Sequence, residues 1–200
     1  MAVPRIWVKN LETKKAIRKE YLNRRKLLPE KLRDKYSKLI EERLLSLEQY
    51  KKADVLLIYA GYGSEVSTHG IIEHALSSSK RVFCPKVLAP GEMEFYEIFR
   101  LKDLILGYKN IPEPSNIENP YRCPNIEKAL MIMPLVAYDS TGMRLGYGGG
   151  FYDRYLQKHT FLQKIALGFD CQKYETILPA DKNDIRPDLI LTETSCYSDF

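Results

Sequence analysis

Ala129-Leu-Met-Ile-Met-Pro-Leu-Val-Ala137, and after a short gap Arg144-Leu-Gly-Tyr-Gly-Gly-Gly-Phe-Tyr-Asp153, read as an apolar run, a glycine loop and a helix start. Gly146, Gly148, Gly149 and Gly150 fall within five positions. Glycine loses more backbone freedom on folding than any other residue, so such a cluster serves a chain that turns sharply or passes close to a ligand. The apolar run predicts a buried strand over 131–137, and Tyr152 to about His159 predicts a helix. Strand, glycine loop and helix start in that order leave backbone N–H groups at the positive end of a helix dipole, an arrangement that holds anions. Arg144 before the glycines and Asp153 after them suit a phosphate with a metal ion. The loop lacks the Gly-Lys-Ser/Thr ending of a Walker A motif. The third glycine of a dinucleotide fingerprint would fall at Phe151. A purely structural turn is the plainer alternative.

The same alternation extends in both directions. Upstream, Asp54 to Ala60 reads as a buried strand, Ile71 to Ser78 as a helix capped by Ser67 or Thr68, and Arg81 to Val87 as a second strand. That order is a parallel crossover unit. Met93 to Phe99 alternates as a further strand. Downstream, Lys164 to Phe169 and Asp188 to Thr192 are the last strands. At the N-terminal end, Asn10 is expected to cap a helix from Leu11 to Leu28. Pro29 suits the first turn of a second helix reaching about Tyr50, with Leu32, Tyr36, Leu39, Ile40, Leu44 and Leu47 as its apolar stripe. The proline-rich Asn110-Ile-Pro-Glu-Pro-Ser-Asn116 is expected to be a loop. These elements predict an α/β fold: an open, mostly parallel sheet flanked by helices, Rossmann-like and three-layered, with N-terminal helices, in one domain over 1–200. Residues 1–10 are expected to be a tail or a cap on the core. Ligands of such sheets bind beyond the carboxyl ends of the strands, where the loops Gly61–Glu65 and Tyr138–Gly150 begin.

Composition limits the alternatives. The 200 residues are 44% hydrophobic and 28% charged, with a net charge of +5, as in soluble globular proteins. No apolar run approaches the roughly 20 residues of a membrane span. The N-terminal Met-Ala-Val-Pro-Arg-Ile-Trp7 lacks the apolar core of a signal peptide, so a cytoplasmic protein is expected. Cys84, Cys123, Cys171 and Cys196 are scattered, which reads as reduced thiols rather than a zinc site. The early basic residues are interleaved with Glu12, Glu20, Glu30, Asp34, Glu41 and Glu42, which reads as a solvated helix face rather than a nucleic-acid surface. Lys14 and Arg18 share a helix face and would welcome an anion. Glu65, in a loop just beyond a strand, offers a carboxylate to the paired donors of an amino-heterocycle. Read alone, Lys14 and Arg18 are more readily a solvated face, and Glu65 is as readily a surface residue or a helix-start acid.

Together these segments resemble the 5-formyltetrahydrofolate cyclo-ligase family, also called 5,10-methenyltetrahydrofolate synthetases. The resemblance is carried by Met133 to Asp139, Gly142 to Asp153, Lys14-Lys-Ala-Ile-Arg18, the Glu65 loop, Asn110 to Pro114, Leu178 to Asp184 and Asp188 to Glu193. It implies ATP-dependent conversion of 5-formyltetrahydrofolate to 5,10-methenyltetrahydrofolate, ADP and phosphate, with Mg2+. A catalytically silent folate- or nucleotide-binding protein is the alternative. The resemblance assigns Lys14 and Arg18 to the ATP phosphates. Arg144, Leu145, Gly146, Tyr147, Gly148, Gly149, Gly150, Phe151 and Tyr152 surround the nucleotide, and those from Tyr147 onward also meet the folate. Ala60 and Glu65 line the folate pocket, Asp153 and Asp184 hold magnesium, and Arg144, Tyr152 and Asp153 are catalytic. Two positions depart from the family pattern. Phe151 lacks a hydroxyl found in many relatives, and Tyr147 stands where a basic residue is frequent. The implied partners are small molecules, with neither nucleic acid nor membrane, and a monomer is expected.

Overall fold

The computed structural model describes residues 13–122 and 128–198. Its centre is a seven-stranded sheet. The strands are β1 (Val55–Ile58), β2 (Arg81–Ala89), β3 (Glu92–Ile98), then β6 (Ala129–Pro134), β9 (Gln163–Leu167), β10 (Leu189–Leu191) and β11 (Cys196–Tyr197). Two small ribbons complete the numbering: β4 (Leu104–Leu106) with β5 (Pro112–Pro114), and β7 (Ala137–Tyr138) with β8 (Arg144–Leu145). The sheet order is β11-β10-β9-β6-β1-β2-β3. The five strands from β10 to β2 are parallel, and β3 and β11 add antiparallel edges. This is the open, mostly parallel sheet expected from the sequence.

Among the described residues the α-helices are α1 (Lys14–Leu27), α2 (Glu30–Ser46), α3 (Glu48–Lys52), α4 (His69–Ser77) and α5 (Phe151–Lys158). Alternation along the strands divides the core into two faces. Leu56, Ile58, Leu130 and Ile132 pack with Ile40, Leu44, Tyr50, Ile71 and Ile72 from α2, α3 and α4. Val55, Leu57, Met131 and Met133 pack with Tyr155 and Leu156 of α5. Such near-continuous apolar strands are the signature of a sheet covered on both faces. A third cluster joins Ile17 and Tyr21 of α1 to Ala137, Met143 and Leu145 of the β7–β8 ribbon and to Leu178. Helix α1 is therefore clamped to the ribbon that carries Arg144.

Several boundaries differ from the expectations. Asn10 and the 1–10 segment lie outside the described residues; α1 begins at Lys14, where the Thr13 side chain accepts a hydrogen bond from the Ala16 amide at 3.2 Å. Pro29 is the residue before α2 rather than inside it, and the long second helix breaks at Leu47, whose backbone is extended. Tyr36, Ile40 and Leu44 form the inward row of α2, while Leu32 and Leu39 are exposed. Thr68 precedes α4 but does not cap it. Its Oγ1 donates to the Tyr59 carbonyl at 2.7 Å and accepts from the Gly61 amide at 2.9 Å, stitching the end of β1. The strand expected over 131–137 ends at Pro134, because Ala137 and Tyr138 turn away to pair with Leu145 and Arg144. The 110–116 loop contains the short strand β5.

Candidate active site

The sheet order reverses at β1: the chain adds β2 and β3 on one side, then returns to add β6, β9 and β10 on the other. Such a switch point opens a crevice at the carboxyl ends of the flanking strands. A cleft of about 1000 Å³ lies there, bordered by Tyr59 and Ala60 after β1 and by Pro134 at the end of β6. This is the upper end of the roughly 300–1,000 Å³ of small-molecule sites. Lys14, Arg18, Ala60, Glu65, Asp184 and every residue from Arg144 to Asp153 line it. All the residues singled out in the sequence therefore face one space, although α1, the Glu65 loop, the glycine loop and the Asp184 segment are far apart in the chain.

The glycine loop is shaped by backbone conformations that side chains resist. Gly148 (φ 95°) and Gly150 (φ 64°) occupy the left-handed region. Gly150 is the residue before α5, and no side chain among the described residues caps that helix. Its first-turn amides therefore stand open for an anion. The loop is held from outside by arginines. Arg18 Nε donates to the Gly146 carbonyl at 2.8 Å. Arg154 Nε donates to the Gly91 carbonyl at 2.7 Å, and its Nη2 donates to the Gly149 carbonyl, tying the β2–β3 turn to the loop.

Arg144 is buried at 6% exposure, and its Nη2 donates to Asp153 Oδ1 at 2.8 Å. The same carboxylate oxygen accepts the Ile185 amide at 3.1 Å. Arg144 Nε has no hydrogen-bond partner among the described residues. Burial pulls the guanidinium pKa down, and the Asp153 carboxylate beside it opposes that pull. Nearby, Lys14 Nζ donates to Asp181 Oδ2 at 2.6 Å and to Asp184 Oδ2, which also accepts the Asp181 amide at 2.7 Å. Burial would raise the Asp184 carboxyl, but the Asp181 amide and Lys14 outweigh it and hold the group below the usual carboxylate range.

Asp153 and Asp184 each keep one carboxylate oxygen without a hydrogen-bond partner among the described residues. No cluster of three or more His, Cys, Asp or Glu suited to a metal exists among those residues. This donor set suits magnesium, which binds through one or two carboxylates together with water and substrate phosphates rather than in an all-protein cage. It does not suit zinc.

Glu65 is buried at 9% exposure. Its Oε2 accepts the Tyr62 amide at 3.1 Å and its Oε1 accepts the Tyr147 hydroxyl. Burial raises its pKa, against the opposing influence of Tyr147, Arg25 and the Tyr62 amide. Tyr147 is thus joined directly to Glu65. Tyr152 packs edge-on against Phe95, ring centroids 6.3 Å apart. Phe151 meets Tyr108 from the β4–β5 ribbon, also at 6.3 Å, consistent with packing at a position that lacks a hydroxyl.

Sequence reasoning missed Asp181, Arg154 and Arg25. Asp181 lies in the segment quoted for Asp184, and its value emerges only when Lys14 arrives from 167 positions away. Arg154 directly follows Asp153 and was hidden as an ordinary helix-surface residue.

The 5-formyltetrahydrofolate cyclo-ligase family model matches residues 10–193. A 5-formyltetrahydrofolate cyclo-ligase of Escherichia coli (strain K12) is 31% identical over 179 residues, covering 87% of this chain and 96% of its own. The NMR structure of Aquifex aeolicus 5,10-methenyltetrahydrofolate synthetase superposes with a TM-score of 0.78 at 30% identity, covering 92% of each chain. A structure of a Mycoplasma pneumoniae 5,10-methenyltetrahydrofolate synthetase does so with a TM-score of 0.72 at 25% identity, covering 91% of this chain and 99% of its own. No helix among the described residues is long and apolar enough to cross a membrane.

Proposed function

Because this chain belongs to the 5-formyltetrahydrofolate cyclo-ligase family, we propose that its cleft brings ATP and 5-formyltetrahydrofolate together and closes the folate to 5,10-methenyltetrahydrofolate, releasing ADP and phosphate. The formyl group on N5 is an amide whose oxygen is a poor leaving group. Transfer of the ATP γ-phosphoryl group to that oxygen breaks the bond to ADP and makes the oxygen part of a phosphate ester. N10 then attacks the formyl carbon, the carbon–oxygen bond breaks, and phosphate departs with both electrons of that bond as N10 loses its proton.

Phosphoryl transfer depends on positioning and charge neutralisation more than on a protein nucleophile. The cleft is equipped for that, with glycine-loop amides and Lys14, Arg18 and Arg144 toward phosphate. Arg144 Nε is the donor best suited to a phosphoryl oxygen, since it is buried and uncommitted among the described residues. Asp153 and Asp184 would hold magnesium, which would supply positive charge against that of the phosphates. Glu65 would accept hydrogen bonds from the amino-heterocycle of the folate, with Ala60 and Tyr152 packing beside it.

The observation that carries this reading is the gathering of Lys14, Arg18, Arg144, the glycine loop and the buried Glu65 carboxylate in one cleft at the strand switch point. Its test is turnover: the purified protein with ATP, Mg2+ and 5-formyltetrahydrofolate is expected to generate the near-ultraviolet absorbance of the methenyl product, and none without ATP. Tight folate binding without product would instead favour a silent binding protein. Glu65→Gln turns one acceptor into a donor and is expected to raise KM for the folate by roughly tenfold or more, the effect of disrupting a charge-assisted contact. KM for ATP should change little. Equal loss of both affinities would undo the role given to Glu65.

A further inference from the structure

Helix α1 carries cations at positions 14, 18 and 25 that reach three different parts of the cleft wall. Lys14 meets Asp181 and Asp184, Arg18 the Gly146 carbonyl, and Arg25 the Tyr147 hydroxyl. Spacings of four and seven residues keep all three on one helix face, spread over about 16 Å of helix. Lys14 and Arg18 line the cleft; Arg25 does not, and it is buried at 4% exposure.

A buried guanidinium is costly unless its donors are used and a negative charge lies near. Arg25 uses its donors on Ser64 Oγ at 3.0 Å, the Leu135 carbonyl at 3.4 Å and the Tyr147 hydroxyl at 2.7 Å. It makes no direct ion pair among the described residues; the compensating carboxylate is Glu65, one hydroxyl away. A phenol has one proton. With Arg25 donating to its oxygen, Tyr147 commits that proton to Glu65 Oε1, while the Tyr62 amide engages Oε2. Glu65 is thereby held at both oxygens, and each keeps further acceptor capacity for the paired N–H donors of a heterocycle.

The geometry points to Arg25 as a positioning residue for folate recognition: acting through the Tyr147 hydroxyl, it fixes Glu65 and fastens the glycine loop to the folate side of the cleft. This rests on Glu65 being the acceptor for the heterocycle.

Steady-state kinetics on Arg25→Met, Tyr147→Phe, their double variant and Glu65→Gln test the relay. Arg25→Met and Tyr147→Phe are each expected to raise KM for 5-formyltetrahydrofolate roughly tenfold. KM for ATP and kcat should move much less. The double variant should be no worse than the poorer single, because both break one chain of bonds. Tyr147→Phe keeps the ring and loses only the hydroxyl, so it reports on the relay even if Arg25→Met fails to fold. If Glu65→Gln raises KM while Arg25→Met and Tyr147→Phe leave it unchanged, the relay is wrong and the role of Glu65 stands. If the two effects multiply, the residues act separately and the relay is equally wrong. If none of the variants alters KM for the folate, the Glu65 reading falls and takes the relay with it.

Discussion

Asp153→Ala is expected to lower kcat/KM by a factor on the order of 10³, the size found when a group that organises transition-state charge is removed, and to cost stability as well. The two effects have separate causes. Asp153 Oδ1 is the carboxylate oxygen on the buried Arg144, and it also accepts the Ile185 amide. Alanine leaves the guanidinium uncompensated, which costs about 3–5 kcal/mol when one partner of a buried pair is removed. In a chain of this size that corresponds to a fall in Tm of roughly 6–20 °C. Asp153→Asn separates the two. Its amide oxygen can still accept from Arg144 and Ile185, and its NH₂ can take the place of Oδ2, which has no partner among the described residues. The retained hydrogen bonds should return part of the stability, the remainder being the cost of leaving the charge of Arg144 unbalanced, but the activity should not return, because an amide is a poor ligand for magnesium. Thermal unfolding of both variants, with kinetics across a range of magnesium concentrations, reads the two effects. An asparagine variant that is active as well as stable would reduce Asp153 to a structural role.

What the sequence made legible follows from the range of the signal. The parallel sheet could be read because Val55–Ile58, Ala129–Pro134 and Gln163–Leu167 are short apolar runs, each set off by turn residues and alternating with helical segments. The glycine loop could be read because left-handed backbone at Gly148 and Gly150 requires an unusual local composition. The β7–β8 ribbon could not, since strands of two residues have no periodicity to detect. Arg25 could not either: it sits among Arg24 and Lys26 in a basic stretch, and its partners Ser64 and Tyr147 are 39 and 122 positions away. The break at Leu47 and the exposure of Leu32 and Leu39 have a related cause. Spacing names the apolar row of a helix, but only the neighbouring sheet decides how much of that row is covered. In the site, local sequence reveals groups suited to contacting a ligand, while the residues that aim those groups are defined by contacts made across the fold.

Asp139 marks the far end of that principle, and Asp139→Asn is expected to destabilise the protein nearly as much as Asp139→Ala. The side chain is fully buried. Its Oδ1 accepts the Thr141 amide at 2.8 Å, the Thr141 hydroxyl at 2.7 Å and the Met143 amide at 3.1 Å, and its Oδ2 accepts the Leu178 amide at 2.7 Å. These bonds close the turn at Gly142 (φ 75°) that sets Arg144 opposite Tyr138. Alanine strands three backbone donors at once, at about 1–3 kcal/mol for each that stays buried, so a loss of at least roughly 3 kcal/mol is expected. Asparagine keeps one oxygen but must turn its NH₂ toward either the Leu178 amide or the Thr141–Met143 donors, and a donor facing a donor regains little. The contrast with position 153 is the sharp part of the prediction. The same Asp→Asn change should restore part of the stability where one oxygen is free and fail where both are occupied. Since Arg144 rides on this ribbon, kcat should fall with stability at Asp139 although the residue is absent from the cleft wall. Urea unfolding of both variants measures the first effect and turnover of the folded fraction the second. An Asp139→Asn variant within about 0.5 kcal/mol of the parent, the ordinary scatter of surface substitutions, would show that the four bonds do not organise the turn.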